Sequence, residues 1–396
     1  MRQLAIISVI VLVSFLVLFG IASGRPTVEM GLLLDSSGHT SELGKAAQRV
    51  AEMAIDQVNS QGGVDGRLVK LTAFDTRGDP ILGKQGAREL VSVQEVAAVV
   101  GPTNWATAMM TKPIFEERQT PVMMLTWEDS VIRGGKYGTY EYIFQLPLKR
   151  STALEKVCAF VKKKGWTRVG LVVTSDALGR EAREWFMRVS SSCGIRELVV
   201  ISLAPTDDIT EKLRSFADRD LQTIVSWCTL PRAASVTRAA RGLGMNLPLF
   251  QCHEMSPQRY VEMAGREAER TLTVTNKMMV WQGLDERDPQ KGMIEDFLYQ
   301  YRDVYRYGRR RPIGPTLAYV WDSVMILVRA MRENGTDGTR LRDIIEATQS
   351  HVGLGGIYGF THEDHNGLDP DSLVVSSLDQ VHGDGRRWVG SWSLAD

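Results

Sequence analysis

Short β-rich runs alternate with longer helical patterns along most of the chain, and this alternation limits the possible folds more than any other feature. The run "VEMGLLLD" from Val28 is almost unbroken in its apolar character, as in a strand buried on both faces. It is followed by "SELGKAAQRVAEMAIDQVNSQGG". There Ala47, Val50, Ala51, Ala54, Ile55 and Val58 recur at helical spacing before a Gly62–Gly63 stop. Strand "LVKLTAFD", helix 81–93, strand "VAAVVG", helix 106–117 and strand "PVMML" come next. From Ser151 the rhythm repeats. Helix 151–164 leads to "RVGLVVTSD", helix 179–193, "ELVVISL", helix 208–217, "TIVSWC", helix 231–243 and "LPLFQC". Helices 290–306, 315–334 and 338–349 follow, and then "SLVVSSLDQV" and "RRWVGSWS", whose alternation reads as a terminal hairpin. Strand–helix–strand units in series predict an α/β chain with two doubly wound parallel-sheet lobes. Ligands in such sheets bind outside the carboxyl ends of the strands. The residues to read for function are therefore 35–37, 101–105, 126–129, 175–176, 228–229 and 253–254.

The 396 residues carry 47 basic and 47 acidic side chains, so no electrostatic footprint points to nucleic acid. The length is enough for two domains. Residues 1–24 place Arg2 before an apolar run from Leu4 to Ile21, then the small residues Ala22 and Gly24, which is the layout of a secretory signal. The run is long for a signal, and about 18–20 apolar residues span a bilayer, so an uncleaved anchor is the alternative. Either form puts the bulk of the chain in the periplasm or another extracytoplasmic space, with the membrane met only through that segment. No Cys lies near the cleavage position, which excludes lipid attachment there. The four cysteines, Cys158, Cys193, Cys228 and Cys252, contain no C-x-x-C spacing. In an oxidising space they allow three full connectivities or free buried thiols.

One stretch imitates a nucleotide-binding loop. "RGDPILGKQG" runs Gly78, four residues, Gly83, Lys84, and matches G-x-x-x-x-G-K-[ST] except at Gln85, which has no hydroxyl for magnesium. In a different register, Asp79 caps a helix that Pro80 begins.

At the strand-end residues the chain resembles the leucine/isoleucine/valine-binding family of periplasmic solute-binding proteins, the type I receptors of ABC importers. The resemblance is carried by "MGLLLDSSGHTSELGKAAQRVAEMAIDQVNSQGGVDGRLVKLTAFDTRGDP", "VAAVVGPTNWATA", "TPVMML", "RVGLVVTSDALGREARE", the acid in "LFQCHEM" and "LAYVWDSVMIL", and it covers the chain after residue 26. It implies two lobes joined by three hinge crossovers, near 146–150, 274–282 and 353–360. Lobe one would hold 26–147 plus 280–355, and lobe two 148–275 plus part of 356–396. The implied partners are a small-molecule ligand and the permease subunits of an ABC importer, with the receptor monomeric and without cofactor, metal or catalytic residues.

Residue by residue, the resemblance implies a ligand carboxylate held by hydroxyls and backbone amides at a helix N-terminus. Thr103, Asn104 and Thr126 fit that role. Trp105 stands where a Ser is usual, and Glu128 replaces a Thr and would repel a carboxylate. Glu254 matches the acid that holds an α-ammonium. Trp127, Trp227 and Tyr319 complete the expected ligand contacts. Trp faces attract cations and pack on flat apolar groups. The expected ligand is therefore small and amino-acid-like, an amine or aromatic, rather than plain leucine. Alternatively, both tryptophans pack into lobe one.

Other features read as structure. "THEDH" (361–365) suggests metal ligands but reads as a solvated loop. "RYGRRRP" (306–312) reads as a surface run, and "ENGT" (333–336) as a helix stop at Gly335. No nucleophile is coupled to a base, so the chain reads as a non-enzyme. Two further hypotheses remain beside an importer's receptor. One is the sensing ectodomain of a signalling system, and the less favoured one is a nucleotide-dependent enzyme.

Overall fold

The computed structural model describes residues 26–38, 41–135, 138–254, 257–307, 313–383 and 388–395. The N-terminal segment 1–24 and residues 308–312, with Arg309, Arg310 and Arg311, lie outside the described residues.

The first sheet holds β1 (Thr27–Leu34), β2 (Leu68–Asp75), β3 (Ala98–Val100), β4 (Val122–Met124) and β5 (Ile143–Gln145), parallel in the order β2-β1-β3-β4-β5. Its crossovers contain helices α1 (Ser41–Ser60), α2 (Pro80–Ser92) and α3 (Trp105–Glu117). Both faces of β1 are covered, which explains its unbroken apolar run. Met30, Leu32 and Leu34 join the cluster that contains the α1 stripe Ala47, Val50, Ala51, Ala54, Ile55 and Val58. Leu33 packs on the other side with Ala87 and Leu90 of α2 and Phe115 of α3. Fully burying each such Leu contributes about 1.5–3 kcal/mol.

The loop that imitates a phosphate cradle is helix-start chemistry. Asp79 accepts from the Ile81 and Leu82 amides, and Pro80 opens α2. A Cβ at Gly83 would stand 2.3 Å from Thr107 Cγ2 on α3, and one at Gly86 would stand 2.2 Å from Phe74. These glycines let α2 approach its neighbours.

The second sheet begins with β6 (Arg168–Thr174), β7 (Glu197–Leu203), β8 (Thr223–Trp227), β9 (Leu249–Gln251) and β10 (Thr271–Asn276), all parallel. Helix α4 (Arg150–Lys163) leads from the first sheet into β6, and α5 (Ala177–Val189), α6 (Ile209–Ala217), α7 (Arg232–Gly242) and α8 (Pro257–Ala264) connect these strands. A disulfide joins Cys158 on α4 to Cys193 just beyond α5, whereas Cys228 and Cys252 are free and buried.

Three helices follow: α9 (Lys291–Tyr299), continued by a π turn Gln300–Val304, then α10 (Thr316–Asn334) and α11 (Gly338–Glu346). Helix α10 packs on α1 and ends at Gly335, whose φ of 79° and amide bond to Met331 O are those of a helix stop. A short pair, β11 (His351–Val352) and β12 (Ile357–Tyr358), precedes β13 (Leu373–Gly383) and β14 (Trp388–Leu394). The last two form the expected hairpin and join the second sheet antiparallel, giving β14-β13-β10-β9-β8-β6-β7.

Two polar anchors hold the late segments, one to helix α10 and one to the first sheet. Buried Asp322 on α10 accepts from the Leu354 and Gly355 amides, both at 2.7 Å, and from the Tyr358 hydroxyl at 2.9 Å. His365 is fully buried, stacked on Phe144 at 4.1 Å, with Nδ1 2.9 Å from Ile143 O and Nε2 3.0 Å from Glu346. The "THEDH" stretch is thus only partly a solvated loop. Residues 361–364 are exposed, and His365 is a structural peg. No described helix is long and apolar enough to cross a membrane.

Candidate functional site

The carboxyl ends of the two sheets supply loops that meet around one side chain. On the first sheet, the loops after β3 and β4 are joined by the Leu125 amide donating to Pro102 O at 3.0 Å. Asp35, at the end of β1, accepts from Thr76 and, at 3.5 Å, from the Thr103 hydroxyl. Asn104 caps α3 through Thr107 N at 3.1 Å. Trp105 is 46 % exposed, and its Nε1 donates to Ser130 at 3.3 Å.

The meeting point is Arg150, the first residue of α4. Its amide donates to Trp127 O at 3.0 Å, and the next amide, Ser151 N, donates to Asp129 at 3.3 Å. These bonds fasten the start of α4 to the loop after β4. The Arg150 side chain spans to the other sheet. Nη2 donates to Glu128 at 2.9 Å and to Glu254 at 3.1 Å, and Nε donates to the second Glu254 oxygen. Nη1 reaches Glu181 on α5 at 3.4 Å. The Arg150, Glu128 and Glu254 side chains are only 13, 15 and 10 % exposed. Burial raises the Glu128 carboxyl, Arg150 pulls it down, and neighbouring Glu254 raises it again, leaving it above the ordinary range. Burial alone would lower the Arg150 guanidinium, but the Glu254 and Glu128 carboxylates outweigh this and hold it charged.

Two polar atoms nearby have no hydrogen-bond partner among the described residues: Thr126 Oγ1, after β4, and His253 Nε2, after β9. Thr126 is 1 % and His253 6 % exposed. Burial pushes His253 down to about 4, so its imidazole is neutral at neutral pH. Trp227, the last residue of β8, is buried beneath His253 with the rings 5.7 Å apart. Tyr319 is buried on α10, beside Asn276 and Leu148.

Of the nine residues expected at the site, Trp127, Glu128 and Glu254 come together through Arg150, and Thr126 precedes Trp127 and Glu128 in the same loop. Thr103, Asn104 and Trp105 line the adjoining loop. Trp227 and Tyr319 sit in the core behind it. Arg150, His253 and Asp129 were not among the expected contacts. Arg150 had a signal in the sequence, because Lys149-Arg150 opens a helix, where the dipole disfavours cations. No side chain caps that helix, so the pair is held by partners elsewhere.

Among the described residues, Cys252, His253 and Glu254 bring potential metal-ligating atoms within 4.8 Å of one another. Arg150 on Glu254 opposes a cation there, and burial holds the Cys252 thiol well above the ordinary range. Of two surface cavities, of about 530 and 500 Å³, one lies beside Asp207 and Arg238, and the other, beside Arg133 and Asp364, is bordered by Lys149, next to Arg150.

A family model described as periplasmic binding protein matches residues 27–376. The Leu/Ile/Val-binding protein homolog 7 of Brucella suis biovar 1 is 32% identical over 111 residues, 27% of this chain and 27% of that protein. The matches to the first curated relatives thus span about a quarter of those proteins' length. Homolog 3 of Brucella melitensis is 22% identical over 272 residues, 67% of this chain and 72% of that one. The crystal structure of the branched-chain amino acid transporter substrate binding protein LivJ from Streptococcus pneumoniae, in complex with isoleucine, superposes with a TM-score of 0.73 at 18% identity. That superposition covers 93% of this chain and 99% of that one.

Proposed function

The chain belongs to the periplasmic binding protein family, and from that premise we propose that it is an extracytoplasmic receptor that captures a small solute between its two lobes and delivers it to an ABC importer. The observation that carries this reading is the convergence of Glu128 and Glu254, from loops at the carboxyl ends of different sheets, on one buried place. Such strand-end crevices are where open α/β sheets bind ligands. The proposed solute is amino-acid-like, an amine or aromatic. Two carboxylates face a single guanidinium, so the place keeps a net negative charge, and the partly exposed indole of Trp105 lies on the adjoining loop.

Lobe one is assigned to 26–147 plus 280–355, and lobe two to 148–275 plus part of 356–396. The packing of α10 on α1 and the addition of β13 to β10 support this division. Residues 1–24 serve as export signal or anchor.

A thermal-shift screen over amino acids, amines, amides and aromatic acids tests the reading. A ligand held only by the folded state at a hundredfold excess over Kd stabilises it by about 2.7 kcal/mol. A shift with ATP and magnesium alone, and with none of the other compounds, would overturn it.

A further inference from the structure

We propose that Arg150 is a cation built into the chain that closes the cleft when no ligand is bound, and that the cleft selects ligands whose own ammonium or guanidinium group displaces it. This deepens the receptor reading and rests on it.

The argument starts from how Arg150 is attached. Its backbone opens α4, which packs on the second sheet through Phe160 against Phe250 and belongs to the second lobe, while its amide and the next one are bonded across to Trp127 and Asp129. Its guanidinium belongs to both sides, with Glu128 after β4 and with Glu254 and Glu181 after β9 and on α5. A separation of the two strand-end loops breaks the Glu128 contact, because Glu254 and Glu181 move with α4. A planar guanidinium that places Nε and Nη2 on the two oxygens of one carboxylate makes the strongest kind of charged pair.

The donors of Arg150 are largely taken. Nε and Nη2 serve carboxylates, and Nη1 makes a long contact to Glu181. A ligand anion therefore gains little from it. The carboxylates keep spare lone pairs and an uncompensated charge, so a cation gains a great deal. Neutral His253 and the Thr126 hydroxyl flank the cluster with unpartnered polar atoms, which can bond the rest of such a ligand. Burial already disfavours ionisation of Glu128, so its carboxylate needs a cation beside it at all times. Arg150 meets that need in the empty protein and the ligand in the loaded one. Competition lowers apparent affinity by the fraction of molecules in which Arg150 holds the acids.

The test compares the radius of gyration by small-angle X-ray scattering for the ligand-free protein and for Arg150→Ala, with melting temperatures confirming that both fold. The expected result is a larger radius for the variant. Millimolar methylguanidinium should restore it to the wild-type value, and sodium chloride at equal ionic strength should not. Methylguanidinium should also bind the variant about tenfold or more tighter than the wild type. If Arg150→Ala does not fold, Glu128→Gln reads the same event, since it removes the far anchor and keeps the fork to Glu254. Variants as compact as the wild type, or rescue by sodium chloride to the same degree, would overturn the proposal. The receptor reading fails separately: no solute in the screen would shift the wild-type melting temperature, while the scattering comparison would still decide the role of Arg150.

Discussion

His253 offers a pH test that isolates one side chain. Its folded-state value is about 4, against an ordinary 6.5, and burial is the main cause. The folded protein therefore takes up this proton less readily than the unfolded chain, and acid favours unfolding. The stabilisation from keeping the ring neutral is complete above pH 6.5 and is lost as pH falls towards 4. One pH unit corresponds to about 1.36 kcal/mol, so at pH 4.5 the linkage relation gives a loss of about 2.5 kcal/mol.

The total stability curve does not display this loss alone. Burial raises Glu128, and it pushes Asp322 up to about 7, so both run with the opposite sign. His351, also pushed down to about 4 by burial and by Arg329, adds to the acid loss. The measurement is therefore a difference. Urea unfolding of the wild type and of His253→Gln, followed by tryptophan fluorescence at steps from pH 7.5 to 4.5, should show the wild type losing about 2.5 kcal/mol more than the variant. The same comparison in a His351→Gln background should leave that difference in place. Parallel curves, within about 0.5 kcal/mol across the range, would refute the assignment of a buried neutral imidazole beside Glu254.

Three further outcomes are expected. Replacing both Cys158 and Cys193 by Ala removes a cross-link that closes a 35-residue separation. The chain-entropy relation puts the cost at about 4 kcal/mol, read as a lower urea midpoint. Asp322→Asn turns an amide N–H towards the Leu354 or Gly355 N–H and should cost about 1–3 kcal/mol, with faster hydrogen exchange at those two amides. Trp227→Ala should cost about 3–5 kcal/mol, whereas Trp105→Ala, on a 46 % exposed residue, should change stability by less than about 0.5 kcal/mol and still weaken any solute found by the screen. Unchanged affinity in Trp105→Ala would remove that residue from the site.

The frame of the molecule was legible where local physics decides it. Continuous apolar strands, the α1 stripe, the Asp79-Pro80 helix start and the terminal hairpin all depend on residues close in sequence. The short pair β11 and β12 was missed, and three other missed elements show the physical reasons. β5 is only Ile143–Gln145, too short to show a period. β10 reads Thr-Leu-Thr-Val-Thr-Asn, polar by composition, yet every residue is buried, because β9 and β13 flank it and helix α4 packs on it. Helix α8, Pro257–Ala264, has only eight residues, too few to repeat the spacing of its buried Tyr260, Val261 and Ala264.

The site was legible by type but not by pairing. The strand-end rule located Glu128 and Glu254. Arg150 shows locally only as a cation at a helix start, and its partners, which lie 22 and 104 residues away in sequence, are not legible there. Trp227 and Tyr319 show the opposite limit, since a large aromatic at a strand or helix end looks the same in sequence whether it faces a cleft or the core.

The hairpin carries a consequence for biosynthesis. β10 is finished at Asn276, but its antiparallel neighbour β13 begins only at Leu373. A ribosome delivers the intervening helices first, so a nascent chain presents β10 as an open edge, with a row of unpaired amides and carbonyls that invites pairing with another chain. Leu378 and Val381, which seal that side of the core, arrive with β13. Completion of the second sheet is thus a late event of synthesis. A message cut before codon 373 would yield a sticky half-sheet rather than a smaller working lobe.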